Sequence, residues 1–148
     1  MNQAVSTVDV VPDAVYQQLQ HFYARHMQQL DDGDADGWAS AFTEDGTFGQ
    51  DTRPEPRRGR SVIAERMRLS VARLAGEGLI RRHWVGNLTV TPGPDGSLLT
   101  RYYALVVDTP KGGPAALRLS TVCDDVLVPD GTGGWLVSAR YIHHDGIE

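Results

Sequence analysis

The sequence has a single cysteine, Cys123, and no apolar run long enough to cross a bilayer. One cysteine excludes an internal disulfide and is typical of a reducing compartment. The first residues, MNQAVSTVDVVPD, contain neither the basic start nor the apolar stretch of a secretory signal, so we expect a cytoplasmic protein without a membrane partner. No internal repeat is present, and the 148 residues suit one domain.

Excess positive charge is missing as well. The formal net charge is −5 and the sequence pI is about 5.4. Nucleic-acid-binding proteins usually carry a basic stripe, so we expect no nucleic-acid partner. The basic clusters, RPEPRRGR from Arg53 to Arg60 and the pair Arg81–Arg82, are interpreted as solvated surface, with contact to an anionic ligand as the alternative.

The first half of the chain does show helical periodicity. A first helix is predicted to begin at Pro12 or Asp13 and to end at Gly33. Asp34 or Asp36 is expected to cap a short second helix, and a third helix begins near Ser61. Residues 1–12 have no periodicity and are predicted to be a flexible tail, followed by a single domain over residues 13–148. The apolar faces of the first two helices are Val15, Leu19, Phe22, Tyr23, Met27, Leu30, then Trp38, Ala41 and Phe42.

The second half changes to strand-like runs separated by turns that contain glycine and proline. Four strands are predicted: LIRRHWVGNLTV, SLLTRYYALVV, ALRLSTVCDDVLV and GWLVSARYIHH. Helices followed by a meander of antiparallel strands predict an α+β fold. We expect a cap of three helices on a strongly curved antiparallel sheet, which together form a cone with an apolar pocket at its mouth.

The acidic stretch DDGDADGWASAFTED is close to a calcium-binding loop. Asp32, Asp34, Asp36 and Gly37 occupy the first ligand positions and the glycine position of that pattern. The twelfth position, which needs a bidentate glutamate, is Thr43. We therefore interpret the three aspartates as a turn and a helix cap, and no metal or other cofactor is expected.

Asp31 differs from these aspartates because it follows Tyr23 and Met27 on the apolar face of the first helix. A carboxylate in that position needs a partner, unless the helix end is partly exposed. His83 is a candidate, since strand alternation places it on one face with Val85 and Asn87. Such a pair can act as a general acid and base, in which the carboxylate orients the imidazole. The alternative is a histidine that is only hydrogen-bonded.

Other polar residues of the strands leave several possibilities open. His143 and His144 point to opposite faces, as do Asp124 and Asp125, so one member of each pair faces inward. A metal site built from His83, a second histidine and Asp31 matches no compact ligand motif. Cys123 is interpreted as a buried structural thiol.

Three segments, YARHMQQLDDGDADGWASAFTEDGTF, HWVGNLTV and GGWLVSARYIHHDG, resemble the SnoaL-like branch of the nuclear-transport-factor-2-like superfamily. The resemblance covers nearly the whole chain after about residue 13. It implies the cone fold, a homodimer, and a family that includes polyketide cyclases, scytalone-type dehydratases, isomerases and non-catalytic members. In the dehydratases an aspartate at the end of helix 1 pairs with a histidine in an H-[FWM]-x-G run, which corresponds to Asp31 and His83.

Two departures limit what the resemblance implies. The dehydratases often have a tyrosine five residues before the aspartate, where this chain has His26, and Tyr23 lies one turn earlier. The bile-acid dehydratases have an arginine where this chain has His144. The cyclases use an inward aspartate and histidine on later strands, which correspond loosely to Asp124 and His144.

Together these features predict a cofactor-independent dehydratase, cyclase or isomerase that acts on a hydrophobic oxygenated ring compound, such as an aromatic polyketide intermediate. His83 would be the general base and Asp31 its orienting partner. The rival hypothesis is a non-catalytic ligand-binding or assembly module, similar to a ring-hydroxylating dioxygenase small subunit. Candidates to contact substrate are Tyr23, His26, Asn87, Asp124 and His144 among polar residues, and Trp38, Trp84, Tyr102 and Tyr103 among aromatic ones.

Overall fold

A computed structural model describes residues 10–147 of the chain. Most of the predicted flexible tail, residues 1–9, lies outside the described residues. The described part contains three α-helices and six β-strands. In chain order they are α1 (Asp13–Asp31), α2 (Ala35–Ala39), β1 (Phe42–Gln50), β2 (Arg57–Arg58), α3 (Arg60–Glu77), β3 (Leu79–Pro92), β4 (Leu98–Pro110), β5 (Ala116–Pro129) and β6 (Trp135–His144).

The strands form one sheet in the order β2-β1-β6-β5-β4-β3. Every neighbouring pair is antiparallel except β1 and β6, which run parallel. The predicted α+β fold with three helices is therefore confirmed, but the prediction of a purely antiparallel sheet of four strands was wrong. Phe42 was assigned to the second helix and instead begins β1.

The polar sequence of β1 explains why this strand was missed. FTEDGTFGQ has two charged residues and two glycines, and only some of its positions are buried. Phe42 and Phe48 pack against Trp38 of α2, which attaches the strand to the core. Pairing with β6 supplies the backbone hydrogen bonds that the sequence pattern does not reveal.

The apolar periodicity and the capping residue in the sequence predict the positions of α1 and α2 correctly. The buried face of α1 contains Leu19, Tyr23, Met27 and Leu30, as the periodicity predicts. The carboxylate of Asp34 accepts a hydrogen bond of 2.9 Å from the backbone N–H of Gly37, so this residue caps α2. Among residues 10–147, no helix combines the length and the apolar character needed to cross a membrane.

A bulge in β3 resets the alternation of its side chains. Asn87 has a φ of 55°, and the register with β4 shifts between Gly86 and Thr89. An extra residue in one strand moves the following side chains to the other face. His83 before the bulge and Leu88 after it both face the cap, whereas Asn87 is exposed. The prediction that Asn87 shares the face of His83 was wrong.

Candidate active site

The side chains of Asp31 and His83 are in direct contact, although the two residues are 52 positions apart in the chain. Oδ1 of Asp31 lies 2.7 Å from Nδ1 of His83. Oδ2 of the same carboxylate accepts a hydrogen bond of 3.2 Å from the backbone N–H of His83. The side chains are 9% and 19% exposed, respectively, so the pair is shielded without being sealed from solvent.

This double contact fixes the imidazole in one orientation. A carboxylate is only an acceptor, so the neutral ring has to carry its proton on Nδ1 to make the short contact. The other ring nitrogen, Nε2, then has a free lone pair, and it has no hydrogen-bond partner among residues 10–147. An imidazole held in this way can accept a proton from a bound molecule.

A cavity of about 410 Å³ lies beside the pair. It is bounded by the end of α1, one face of α3 and the beginning of β3. Asp31 and His83 both line it, and α3 contributes mainly apolar side chains. The lining residues from α3 are Met67, Ser70, Val71, Leu74 and Ala75.

A second polar cluster is buried beneath the helical cap. Asp125 forms a two-point ion pair with Arg140, with oxygen–nitrogen distances of 3.0 and 2.9 Å. Tyr23 and Tyr102 each donate a hydrogen bond to Oδ2 of the same carboxylate. Arg140 also donates to Nε2 of His26 at 2.9 Å. Each buried charge thus has partners, as the low dielectric of a core requires.

Burial sets the protonation states of this cluster. It raises the pKa of Tyr23 and of Tyr102, so both hydroxyls keep their protons. Burial, reinforced by the charge of Arg140, lowers the pKa of His26 well below its usual value. Burial alone would lower the pKa of Arg140, but Asp125 outweighs it and the pKa is raised. A neutral His26 and a permanently charged Arg140 are suited to a structural network.

The predicted substrate contacts Tyr23, His26, Trp38 and Tyr102 therefore belong to the core. Each is at most 2% exposed. Both tyrosines and His26 are occupied by Asp125 or Arg140, and Trp38 is stacked on His26 with their ring centroids 5.4 Å apart. Sequence periodicity cannot separate a pocket wall from a filled core, because both appear as an inward-facing stripe.

Trp84 and Tyr103 point away from the cap, onto the outer face of the sheet. Trp84 is 68% exposed and Tyr103 is 50% exposed. Asp124 also faces outward and contacts His143 and Arg101. Alternation along β5 makes Asp125, rather than Asp124, the inward carboxylate. The assignment of Asp124 to the substrate site was wrong.

His144 faces inward and forms a second pair, with Asp51 after the end of β1. Oδ1 of Asp51 lies 2.7 Å from Nδ1 of His144, and Oδ2 accepts a hydrogen bond of 2.8 Å from the backbone N–H of His144. Neither residue lines the cavity beside His83. No local signal pointed to Asp51, because it follows a strand that was not predicted.

The other residues considered in the sequence, Asp34, Asp36 and Cys123, have structural roles. Asp36 forms an ion pair with Arg68, so only Asp34 acts as the helix cap. Cys123 is buried, and this burial raises the pKa of its thiol to about 11. Within the part of the chain that the structure describes, no three side chains of His, Cys, Asp or Glu converge as metal ligands would.

Comparison with known proteins places this chain in a family. The family model for the SnoaL-like domain matches residues 14–141. This chain belongs to the SnoaL-like domain family. The resemblance noted in the sequence is thereby confirmed, whereas none of the curated proteins compared matches the SnoaL-like chain.

Solved structures show the same cone. ActVI-ORFA from Streptomyces coelicolor is 28% identical, with a TM-score of 0.85 over 93% of this SnoaL-like chain and 99% of its own. Aln2 from a Streptomyces species is also 28% identical, with a TM-score of 0.83 over 92% of this chain and 94% of its own. A protein from Catenulispora acidiphila in complex with S-DNPA is 30% identical, with a TM-score of 0.80 over 90% and 96% of the two chains.

Proposed function

We propose that this SnoaL-like protein is a cofactor-independent acid–base enzyme that acts on a hydrophobic oxygenated ring compound, such as an aromatic polyketide intermediate. The reaction begins with removal of a proton from the carbon beside a carbonyl. Loss of water, ring closure or isomerisation then follows. The cavity with its apolar α3 wall suits the ring, and the imidazole at its edge suits the proton transfer.

His83 is the proposed base. Its Nε2 takes the proton, and the positive charge that develops on the ring is stabilised by the Asp31 carboxylate 2.7 Å from Nδ1. In a dehydration, the same Nε2–H then donates its proton to the departing hydroxyl, so the histidine returns to its neutral form. A positioned base of this kind typically accelerates a reaction by about 10²–10⁴-fold.

One observation carries this proposal: a carboxylate-oriented histidine lies on the wall of an open cavity. The volume of about 410 Å³ falls within the range of roughly 300–1,000 Å³ that is usual for small-molecule sites. A purely structural module requires neither the cavity nor a free ring nitrogen. The similar protein that was solved with S-DNPA supports the binding of a small molecule by this fold.

The groups that contact substrate oxygens differ from those that the sequence suggested. Tyr23 and His26 are held by the buried ion pair, and Asn87 is on the outer face. Ser70 lines the cavity and offers a hydrogen-bond donor there. We assign it the role of polarising the carbonyl.

The test uses a simple ring ketone. Wild-type protein is expected to speed the exchange of deuterium from D₂O into the carbon beside the carbonyl of α-tetralone, measured by NMR. The variant His83→Gln should lose about 10²–10⁴-fold of this acceleration, whereas His144→Gln should keep most of it. Exchange at the wild-type rate in His83→Gln would refute the proposed base.

We also propose that the protein is a homodimer joined through the outer face of the sheet. This face exposes large apolar side chains, which monomeric proteins rarely group together. They include Ile80, Trp84, Leu99, Tyr103, Leu105, Leu117 and Tyr141. The mass in solution, measured by light scattering, distinguishes a dimer from a monomer of 16.2 kDa.

A further inference from the structure

Three arginines, Arg53, Arg57 and Arg66, form a group that we call the arginine cluster. Arg57 lies in β2 directly opposite Phe48 of β1, so its side chain shares the face of Phe48, which is the face beneath the cap. Arg53 lies on the loop after β1, and its guanidinium carbon is 5.9 Å from the centroid of the Phe48 ring. Arg66 is an exposed residue of α3, which packs across β1 and β2.

The arginine cluster lacks the acidic partners that Arg81 and Arg140 have. Arg81 pairs with Asp108, and Arg140 pairs with Asp125. None of the three cluster arginines forms an ion pair with an acidic side chain of residues 10–147. An isolated group of like charges is unfavourable unless an anion neutralises it.

The three guanidinium groups also affect one another. Burial lowers the pKa of Arg53, and repulsion from Arg66 lowers it further. The pKa of Arg57 is lowered by burial, then by Arg53 and Arg66. Arg53 and Arg57 both lie beside Phe48, so their positive charges can act on a single small ligand.

The guanidinium of Arg53 has hydrogen-bond donors without an acceptor in the part of the chain that the structure describes. Its Nε and Nη1 atoms are buried, and neither has a hydrogen-bond partner among residues 10–147. Buried donors are almost always paired, so two on one guanidinium require an explanation. A carboxylate bound side-on through Nε and Nη2, as Asp125 binds Arg140, satisfies the Nε–H, and the Nη1–H takes a second acceptor.

We propose that the arginine cluster binds the carboxylate of the substrate. This assignment rests on the proposed function and narrows it: the ring compound carries an acidic substituent. Arg66 directly precedes Met67, and Met67, Ser70 and Val71 form the α3 wall of the cavity beside His83, whereas the three arginines lie outside the lining of that cavity. The cluster then holds the acidic end of a molecule whose ring lies against that wall.

The test compares two ligands that differ in charge. Naphthoate carries a carboxylate, and naphthamide has the same ring without the charge. Isothermal titration of the full-length protein should show that naphthoate binds at least about tenfold more tightly, since a charged hydrogen-bonded pair typically contributes that much. The preference should decrease as the salt concentration rises.

Two substitutions and one matched control locate the effect. Arg53→Gln and Arg57→Gln should each remove most of the preference for naphthoate. Arg73→Gln should leave it unchanged, because Arg73 lies exposed on the same α3 helix outside the cluster and the charge change is identical. Equal affinity for the two ligands in the wild type, or a preference that survives both cluster substitutions, would overturn the proposal.

Inorganic phosphate separates a substrate carboxylate from a free anion. It should bind more weakly than naphthoate and compete with it. If phosphate bound in an Arg53-dependent manner while naphthoate showed no advantage over naphthamide, the carboxylate assignment would be wrong. The α-tetralone assay involves no carboxylate, so failure of the proposed base and failure of the arginine cluster are distinguishable.

Discussion

Two of the histidine–aspartate pairs among residues 10–147 have almost the same geometry. In both, one carboxylate oxygen lies 2.7 Å from Nδ1 of the histidine, and the other accepts the backbone N–H of the same residue. Asp31 and His83 line the cavity, whereas Asp51 and His144 do not. The pairs therefore differ in what the free Nε2 can reach.

This difference shows that a hydrogen-bonded histidine and carboxylate do not make a catalytic site by themselves. The Asp51–His144 pair joins the chain after β1 to the end of β6, which continues the contact between these strands. The Asp31–His83 pair joins α1 to β3 and also borders open space. The Asp51–His144 pair is thus a natural control for the Asp31–His83 pair.

The largest expected difference between the pairs is in activity. Asp31→Asn should reduce the deuterium exchange of α-tetralone by about 10²–10⁴-fold, because the amide no longer selects the Nδ1–H form or stabilises the imidazolium. Asp51→Asn should leave the exchange rate close to that of the wild type. Equal losses in the two variants would show that the cavity beside His83 does not distinguish the Asp31–His83 pair from the Asp51–His144 pair.

Removing either aspartate is expected to lower the stability of the protein, and this effect is smaller than the effect on activity. Asp31→Ala leaves a backbone N–H and an imidazole nitrogen without their acceptor, which typically costs about 1–3 kcal/mol, and Asp51→Ala removes the same two contacts from His144. Urea unfolding measures this loss. Glu65→Ala, at an exposed position of α3, should change the free energy of unfolding by no more than about 0.5 kcal/mol. If only Asp31→Ala destabilised the protein, the loss of activity at position 31 would reflect lost stability as well as lost catalysis.

Much of the fold could be predicted from the sequence because most elements have strong local signals. The α+β class, with a helical cap on a sheet, was indicated by the apolar stripe of α1, the glycines after it and the long runs of β3 to β6. What was missed depends on pairing between distant segments. The strand β1 is held by β6, and the bulge at Asn87 reverses the face of the residues after it.

The candidate site was predictable only where spacing and resemblance agreed. Asp31 continues an apolar helical face and His83 follows strand alternation, so the contact between them was predicted correctly, and their catalytic role stays a prediction. Arg140 was missed because the register with β5 shifts just before it, so its face cannot be counted from Val137. The arginine cluster was visible only as a basic run, since its missing acidic partners are a property of the folded chain.

The most direct test of the central claim is the position of the proton on the His83 ring. Two-bond proton–nitrogen NMR correlation of ¹⁵N-labelled protein distinguishes the two nitrogens of a neutral imidazole. We predict a proton on Nδ1 and a bare Nε2 for His83 in the wild type, with this preference lost in Asp31→Asn. A proton on Nε2 in the wild type would contradict the account, because that nitrogen could not act as the base.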